Sequence, residues 1–435
     1  MKSYMHSTLL ALGTLLFLTA CGENTNTESY ATKYYPTYEA QSGKFIDSGV
    51  EGITYVKTAG GDSLTKAGGS FEYHYGDTVT FKIGNLVIGE TIALSVVTPK
   101  DIVSYKNLEL NTSINAPEVN NRVRLLISLD SDNNPANGIE INATTRAQGI
   151  NWATPNYDLN ESAFSAEIYS ATNGEVSSLK TMAEATAHFE SSLRCVYSGA
   201  YSGRWILPNG ARSGFVGVMI QSNGTIVTLG DGQDLNNDGI YEEFLFARGQ
   251  HYMDNGYYDF NETGAFNETL GSIVPSSKIV QGDGESQGYN FVKGSFEQKN
   301  PDTNVTQTGS YEATRVGSGS NVSYRYTGYG FANASGAENP SSDPILGLFT
   351  FDISRDGKIV GLIHDARTNE EPPLIGNMNF DTSIVDMNLT YPNGDLYRVT
   401  GALSFDGSVN LDWYDISSNK LGYIDGVGCQ LQTHN

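Results

Sequence analysis

Positive charge is scarce in this chain of 435 residues: 26 Lys and Arg stand against 49 Asp and Glu, a formal net charge of −23. Such a surface repels nucleic acid and anionic lipid head groups, so no nucleic-acid partner is expected. It suits solubility, cation binding or a basic partner. Proline is sparse at 13 residues, and Lys is scarce too. After the N-terminal stretch no long apolar run recurs, so nothing later in the chain offers the about 20 apolar residues that span a bilayer as a helix. No P-loop, dinucleotide fingerprint or basic patch occurs. His74, His188, His251, His364 and His434 show no close metal-ligand spacing, so a zinc site has no support. Cysteine is limited to Cys21, Cys195 and Cys429.

What is abundant is glycine, with 48 residues, and tyrosine, whose 26 residues outnumber the 18 Phe. With short alternating apolar segments, this composition predicts a mainly β chain rich in turns. Its length is enough for two or three domains.

The N-terminus reads Lys2, then an apolar stretch from Ser7, then Leu18-Thr19-Ala20-Cys21. The apolar run has signal-peptide length and is short for a span. Leu18 to Cys21 resembles the lipobox of bacterial lipoproteins. That resemblance implies that residues 1–21 are a signal peptide and lipobox, and that Cys21 is acylated and becomes the first mature residue. Gly22, where a retention Asp is absent, favours the outer membrane by the same resemblance. More than one acyl chain anchors stably where a single one does not. The alternatives are a transmembrane anchor or an ordinary signal with a chance Cys. With Cys21 lipidated, Cys195 and Cys429 remain as an even pair in an oxidising compartment, which favours a disulfide over two buried thiols.

Residues 22–43 are polar and aperiodic, a flexible tether. Residues 44–153 form a first module of alternating segments, including Gly52-Ile-Thr-Tyr-Val-Lys-Thr, Gly69-Ser-Phe-Glu-Tyr-His and Thr78-Val-Thr-Phe-Lys-Ile. Pro117 opens a helix with Val119, Val123, Leu126 and Ile127 on one face. These strands, with Phe45-Ile-Asp-Ser and Arg124-Leu-Leu-Ile-Ser-Leu-Asp-Ser-Asp-Asn-Asn-Pro-Ala-Asn-Gly138-Ile, resemble N-terminal modules of Gram-negative surface lipoproteins. The resemblance covers about a quarter of the chain and implies a small transthyretin-like β-sandwich. Such modules accompany varied partners, so it says little about activity. Residues 154–194 read as a helical linker, with Leu179, Met182, Thr186, Phe189 and Leu193 near one stripe and a capping box at Thr181 and Glu184.

An internal repeat follows. Gly214-Phe-Val-Gly-Val-Met-Ile-Gln-Ser-Asn-Gly224-Thr-Ile-Val matches Gly347-Leu-Phe-Thr-Phe-Asp-Ile-Ser-Arg-Asp-Gly357-Lys-Ile-Val. Tyr201-Ser-Gly203 matches Tyr326-Thr-Gly328, and Val292-Lys-Gly294 matches Val399-Thr-Gly401. Residues 195–320 and 321–435 are therefore two repeated antiparallel units of roughly eight strands each, barrels or sandwiches. Two short helices complete the expected fold, one in the module and one in the linker. Gly203-Arg-Trp205 resembles the lipocalin Gly-x-Trp, although the second copy lacks the Trp. A Cys195–Cys429 bridge would staple the two units.

The sharpest local motif is Asp234-Leu-Asn236-Asn-Asp238-Gly239-Ile240-Tyr-Glu242, which resembles the first part of an EF-hand-type loop. Oxygens on alternate residues, the Ile240 carbonyl and Glu242 would converge on a structural Ca²⁺. Leu245 occupies the twelfth position, so Glu243 or Asp231 would have to replace the bidentate ligand. The alternative is a polar turn. Gly203 and Gly294 lie 91 residues apart and Gly328 and Gly401 73 apart, a difference of 18 that would hold this loop as an insertion. Asp130-Ser-Asp132-Asn-Asn134 is a second acidic turn of the same kind. Gly284-Glu-Ser286-Gln-Gly288 matches a nucleophile-elbow pattern without the helix that should follow it. No catalytic residue is assigned. His364 is expected to face solvent. Tyr252, Tyr257, Tyr258, Tyr324 and Tyr326 form either a sugar- or protein-binding face or strand packing.

These readings point to an outer-membrane lipoprotein, surface-facing, that acts as a binding or adhesion scaffold. Its partners would be the membrane, through the lipid, and a protein or glycan ligand. The competing classes are a hydrolase acting on an envelope polymer or polysaccharide, and a periplasm-facing structural or assembly factor.

Overall fold

The computed structural model describes residues 39–435 except 110–111, 211–212, 231–244, 268–271, 276–278, 301–303, 320–321, 334–336, 367, 369, 405–406 and 432–435. The chain is mainly β, with an N-terminal sheet module followed by two closed eight-stranded antiparallel barrels.

In the module, β1 (Gln41–Phe45), β2 (Val50–Glu51), β3 (Thr54–Lys57), β4 (Asp62–Leu64), β5 (Ser70–Tyr73), β6 (Thr78–Ile83), β7 (Leu86–Ile92), β8 (Val96–Val97) and β9 (Ile139–Glu140) form sheets ordered β5-β1-β8, β4-β3-β6-β7 and β2-β9. The alternation of β6 puts Val79, Phe81 and Ile83 inward. Phe81 stacks on Phe45 at 4.3 Å and meets Phe71 edge-on at 5.4 Å between ring centroids.

Five helices are present among the described residues, three more than the apolar pattern suggested: α1 (Pro99–Asn107), α2 (Pro117–Ser128), α3 (Ala143–Gly149), α4 (Glu161–Ala171) and α5 (Met182–Tyr197). Two of the missed helices start at an Asn that caps the third residue's N–H, a signal present in the sequence but short of apolar period. Helix α2 starts at Pro117 as expected but is buried all round, Asn120, Asn121, Arg122 and Arg124 included. Its polar side chains are paired. Asn121 donates to the Tyr157 and Leu159 carbonyls, and Arg122 donates to those of Ile88 and Glu118 while lying over the Tyr157 ring. Burying such groups costs little only when they are so satisfied. Helix α5 carries the anticipated capping box, Thr181 Oγ1 accepting from the Glu184 N–H and Glu184 accepting from the Thr181 N–H.

The first barrel runs through β10 (Gly199–Ile206), β11 (Ser213–Ile220), β12 (Thr225–Gly230), β13 (Leu245–His251), β14 (Tyr257–Asn267), β16 (Ile279–Gln287), β17 (Phe291–Asn300) and β18 (Val305–Val316), which closes on β10; the short β15 (Ser272–Pro275) pairs with β14. The second runs through β19 (Val322–Ala332), β20 (Ile345–Ser354), β21 (Lys358–Asp365), β22 (Pro373–Asn379), β23 (Ile384–Thr390), β24 (Leu396–Ala402), β25 (Ser408–Tyr414) and β26 (Lys420–Gln430), which closes on β19. Closure leaves neither barrel an unpaired edge.

Two of the three repeat matches fall on equivalent strands. Tyr201-Ser-Gly203 and Tyr326-Thr-Gly328 lie on the opening strands, and the Gly214 and Gly347 segments on the second strands. Gly224 and Gly357 both sit at positive φ in the hairpin turn, 90° and 81°. The third match is out of step: Val292-Lys-Gly294 is on the seventh strand of its barrel, Val399-Thr-Gly401 on the sixth of the other. The length difference of 18 computed across it therefore does not measure an insertion.

Glycine and aromatic residues fill the barrels jointly. Tyr258 lies across Gly284 and Tyr311 across Gly294 from inside, leaving no room for a Cβ, and Tyr326 covers Gly428 in the second barrel. This pairing accounts for a composition rich in both residue types.

One continuous apolar cluster runs from the module through α5 into the first barrel, whereas the second barrel has a core of its own. Tyr289 helps tie the first two together. It occupies positive φ (64°) in the turn between β16 and β17, a conformation costly for a bulky residue. Its hydroxyl bonds Thr98 Oγ1 at 2.9 Å and donates to Asp101 Oδ2 at 3.0 Å, the capping box of α1. The barrels meet through Met219, Val227, Leu229 and Phe246 against Leu348 and Ala366.

Candidate functional site: a groove on the wall of the first barrel

The outer wall of the first barrel carries a cavity of about 490 Å³. Strand register builds it. Tyr257 on β14 faces Glu285 on β16, Glu285 faces Lys293 on β17, Lys293 faces Glu312 on β18, and Glu312 faces Arg204 on β10. Aromatic, acid, base, acid and base thus form one row across five adjacent strands. Two residues along, Ile206, Ser310, Ser295 and Asp283 form a parallel row on the same face, as the period of two requires. The Gly284–Gly294 pair lies between the rows and lines the floor, with Tyr311 beneath.

Lys293 Nζ is 3.0 Å from Glu285 Oε1, and Ser295 Oγ donates to Asp283 Oδ1 at 2.8 Å. Tyr257 is 49% exposed. At the hairpin end beside it, Tyr252, 46% exposed, donates to Asp259 Oδ2 at 2.9 Å. Of the five tyrosines singled out in the sequence, these two are on the surface. Tyr258, Tyr324 and Tyr326 are interior packing.

Ser286 and His251 form a second constellation. His251 Nε2 lies 3.0 Å from Ser286 Oγ, both side chains buried. The histidine precedes the serine in sequence, so a search for an acid and His following the Gly-x-Ser-x-Gly pattern misses it. Strand β16 continues through Ser286, and no helix follows. Tyr197 and Tyr258 pack on the imidazole. Burial, with the Lys100 ammonium adding to it, pushes the His251 pKa down to about 3. Among the described residues, Nδ1 of His251 meets no hydrogen-bond partner, so no carboxylate orients the ring.

Cys195, in the last turn of α5, is joined to Cys429 on β26, with Cα atoms 5.5 Å apart. Cys21 and the loop residues Asp231, Asp234, Asn236, Asp238, Ile240, Glu242 and Glu243 lie outside the described residues. In the other acidic turn, Asp130 Oδ1 accepts from the Glu140 N–H, and Asp132 accepts from the Asn134 N–H and from Asn137 Nδ2, each at 2.9 Å. Those oxygens serve as turn acceptors. No group of three metal-ligating side chains occurs among the described residues.

His364 does not face solvent. It is buried between the barrels, its ring stacked on Phe215 at 4.7 Å and 2° between planes, with Glu371 Oε1 3.5 Å from Nδ1. Its strand alternation alone could not reveal that the first barrel covers that face. Trp205 packs edge-on against Phe296 within the first barrel, 6.2 Å between centroids.

The fold thus defines a two-barrel protein behind a mixed sheet-and-helix module. No family model matches the chain, and no curated protein does. Solved structures it is similar to include transferrin binding protein B of Haemophilus parasuis, a vaccine antigen solved as a double mutant (7% identity over 54% of this chain and 76% of that one, TM-score 0.18). Others are a protein of unknown function from Nostoc punctiforme (11%, 55% and 98%, TM-score 0.17) and Aeromonas veronii immune modulator A (8%, 53% and 93%, TM-score 0.14).

Proposed function

We propose that this chain is a lipid-anchored binding scaffold displayed at the outer membrane of a bacterium, holding its ligand on the wall of a barrel rather than inside one. The observation that carries the reading is the filling of both barrels. Inward rows of Tyr, Phe, Trp, Leu, Val and Met occupy the interiors, and the groove at Tyr257 lies on the outside. The Leu18–Cys21 ending supports the anchor. The acidic surface supports solubility away from the membrane.

Two measurements test it on intact cells. Protease shaving should remove the wild-type chain, and Cys21→Ser should abolish fatty-acid labelling and release the protein from the membrane fraction. Protection from protease on unbroken cells favours the periplasm-facing assembly role instead, and equal labelling of Cys21→Ser refutes the lipobox.

A hydrolase remains the second reading because Ser286 and His251 are bonded. Labelling of Ser286 in the native protein by a fluorophosphonate probe would favour it. A serine sealed at the barrel end beside a ring without an acid is expected to stay unlabelled.

A further inference from the structure

We propose that the groove on the first barrel binds a neutral oligosaccharide; the inference rests on the scaffold reading and names the ligand class.

An apolar ligand would strip water from Arg204, Lys293, Asp283, Glu285 and Glu312 without giving them hydrogen bonds, which is costly for each charged group. A strongly ionic ligand meets both signs at once. Along the row the charges alternate, Glu285, Lys293, Glu312, Arg204, so either sign of ligand finds a like charge one strand away. A polyanion is disfavoured further by the −23 balance of the chain.

A neutral polyhydroxyl chain fits without those penalties. Each hydroxyl both donates and accepts. It can accept from Lys293 or Arg204 while donating to Glu285, Glu312 or Asp283, leaving the net charge of the groove unchanged. Hydrogen bonds with one charged partner are stronger than neutral ones. Register sets the order of donors and acceptors, and the Lys293–Glu285 and Ser295–Asp283 contacts already hold those four side chains, which reduces the entropy lost on binding. At one end the half-exposed Tyr257 offers a ring face to the C–H side of a sugar, and Ile206 edges the other. From Tyr257 to Arg204 the row follows the closed wall over four strand spacings of about 4.8 Å, an arc on the order of 19 Å, room for several sugar rings that follow its curve.

The full chain in detergent is titrated calorimetrically with maltohexaose, cellohexaose, chitohexaose and mannohexaose. A heparin hexasaccharide is the charged control. At least one neutral hexaose should bind, its dimer at least tenfold more weakly, and heparin not measurably. Tyr257→Ala and Lys293→Met should each weaken that binding tenfold or more while leaving the melting temperature within about 2 °C, as expected of exposed side chains. Absence of binding by all four neutral hexaoses, tighter binding of heparin, or neutral binding indifferent to both variants would overturn the proposal. The scaffold reading fails separately, through the protease and labelling experiments on cells, which do not depend on any sugar.

Discussion

Arg315 and Arg325 donate to the same acceptor, the carbonyl of Ser198, one from the last strand of the first barrel and the other from the first strand of the second. Ser198 follows helix α5, whose final carbonyls have no partner within the helix. Arg315 also reaches the Val196 carbonyl at 2.7 Å and that of Tyr197 at 3.3 Å, and Arg325 reaches that of Cys195 at 3.3 Å. Cations at a helix C-terminus also favour its dipole. The two guanidiniums are tolerated together because Asp352 binds Arg325 through both oxygens, at 2.7 and 2.9 Å. Burial, and Arg325 beside it, bring the Arg315 pKa down to about 10; for Arg325 burial works against the charge, yet Asp352 outweighs it and holds its pKa above the ordinary value. With Cys195 bridged to Cys429 in the same turn, the end of α5 is the joint of the molecule.

Arg325→Met is therefore expected to cost about 3–5 kcal/mol in urea unfolding, because Asp352 is left buried without its counter-ion. Arg325→Met with Asp352→Leu should recover most of that loss. Equal destabilisation by the single and double variants would show that Asp352 tolerates burial alone, through the Ser318 hydroxyl and the Gly319 N–H.

Acid should weaken the seal between module and first barrel. His251 has a folded pKa of about 3 against an ordinary 6.5, so the unfolded chain binds the extra proton first. Its contribution is complete above about pH 6.5 and is lost as pH falls toward 3. The groups facing it are Lys100, Tyr197, Tyr258 and Ser286, none a carboxylate that would reverse the sign. By pH 4 the loss is about 3 kcal/mol. His251→Gln should flatten this part of the stability-against-pH curve; an unchanged curve assigns the acid sensitivity to other groups.

Cys195 and Cys429 stand 234 residues apart, and their bridge should contribute about 2–5 kcal/mol. Because the second barrel has its own core and closes on itself through β19 and β26, Cys195→Ala with Cys429→Ala should split one calorimetric transition into two. A single transition at unchanged temperature would show that Arg315, Arg325 and the inter-barrel contacts suffice.

The loop Asp234–Glu242 is expected to bind calcium weakly, with a Kd roughly between 10⁻⁴ and 10⁻³ M, since its twelfth position is Leu245. Millimolar Ca²⁺ should raise the melting temperature more than Mg²⁺ does. Asp234→Ala with Asp238→Ala should remove that rise. Its survival in the double variant would place the ligands elsewhere.

The sequence by itself determined what depends on neighbours along the chain. The alternation of β6, the Pro117 start of α2, the Thr181–Glu184 capping box and the turns at Gly224 and Gly357 each need only a few consecutive residues, and each is legible. The mainly β class and the two units of eight strands follow from adding such signals together. Tertiary structure alone decided how distant strands align. The third repeat match slipped by one strand because short Gly-containing segments look alike until closure counts them. His251 meets Ser286, and Tyr257 joins the row ending at Arg204, through register between strands that no local pattern encodes. His364 is buried because another barrel covers its face. A β period of two tells which residues share a side of a strand; only the packed chain sets which strand lies beside it and whether that side meets water.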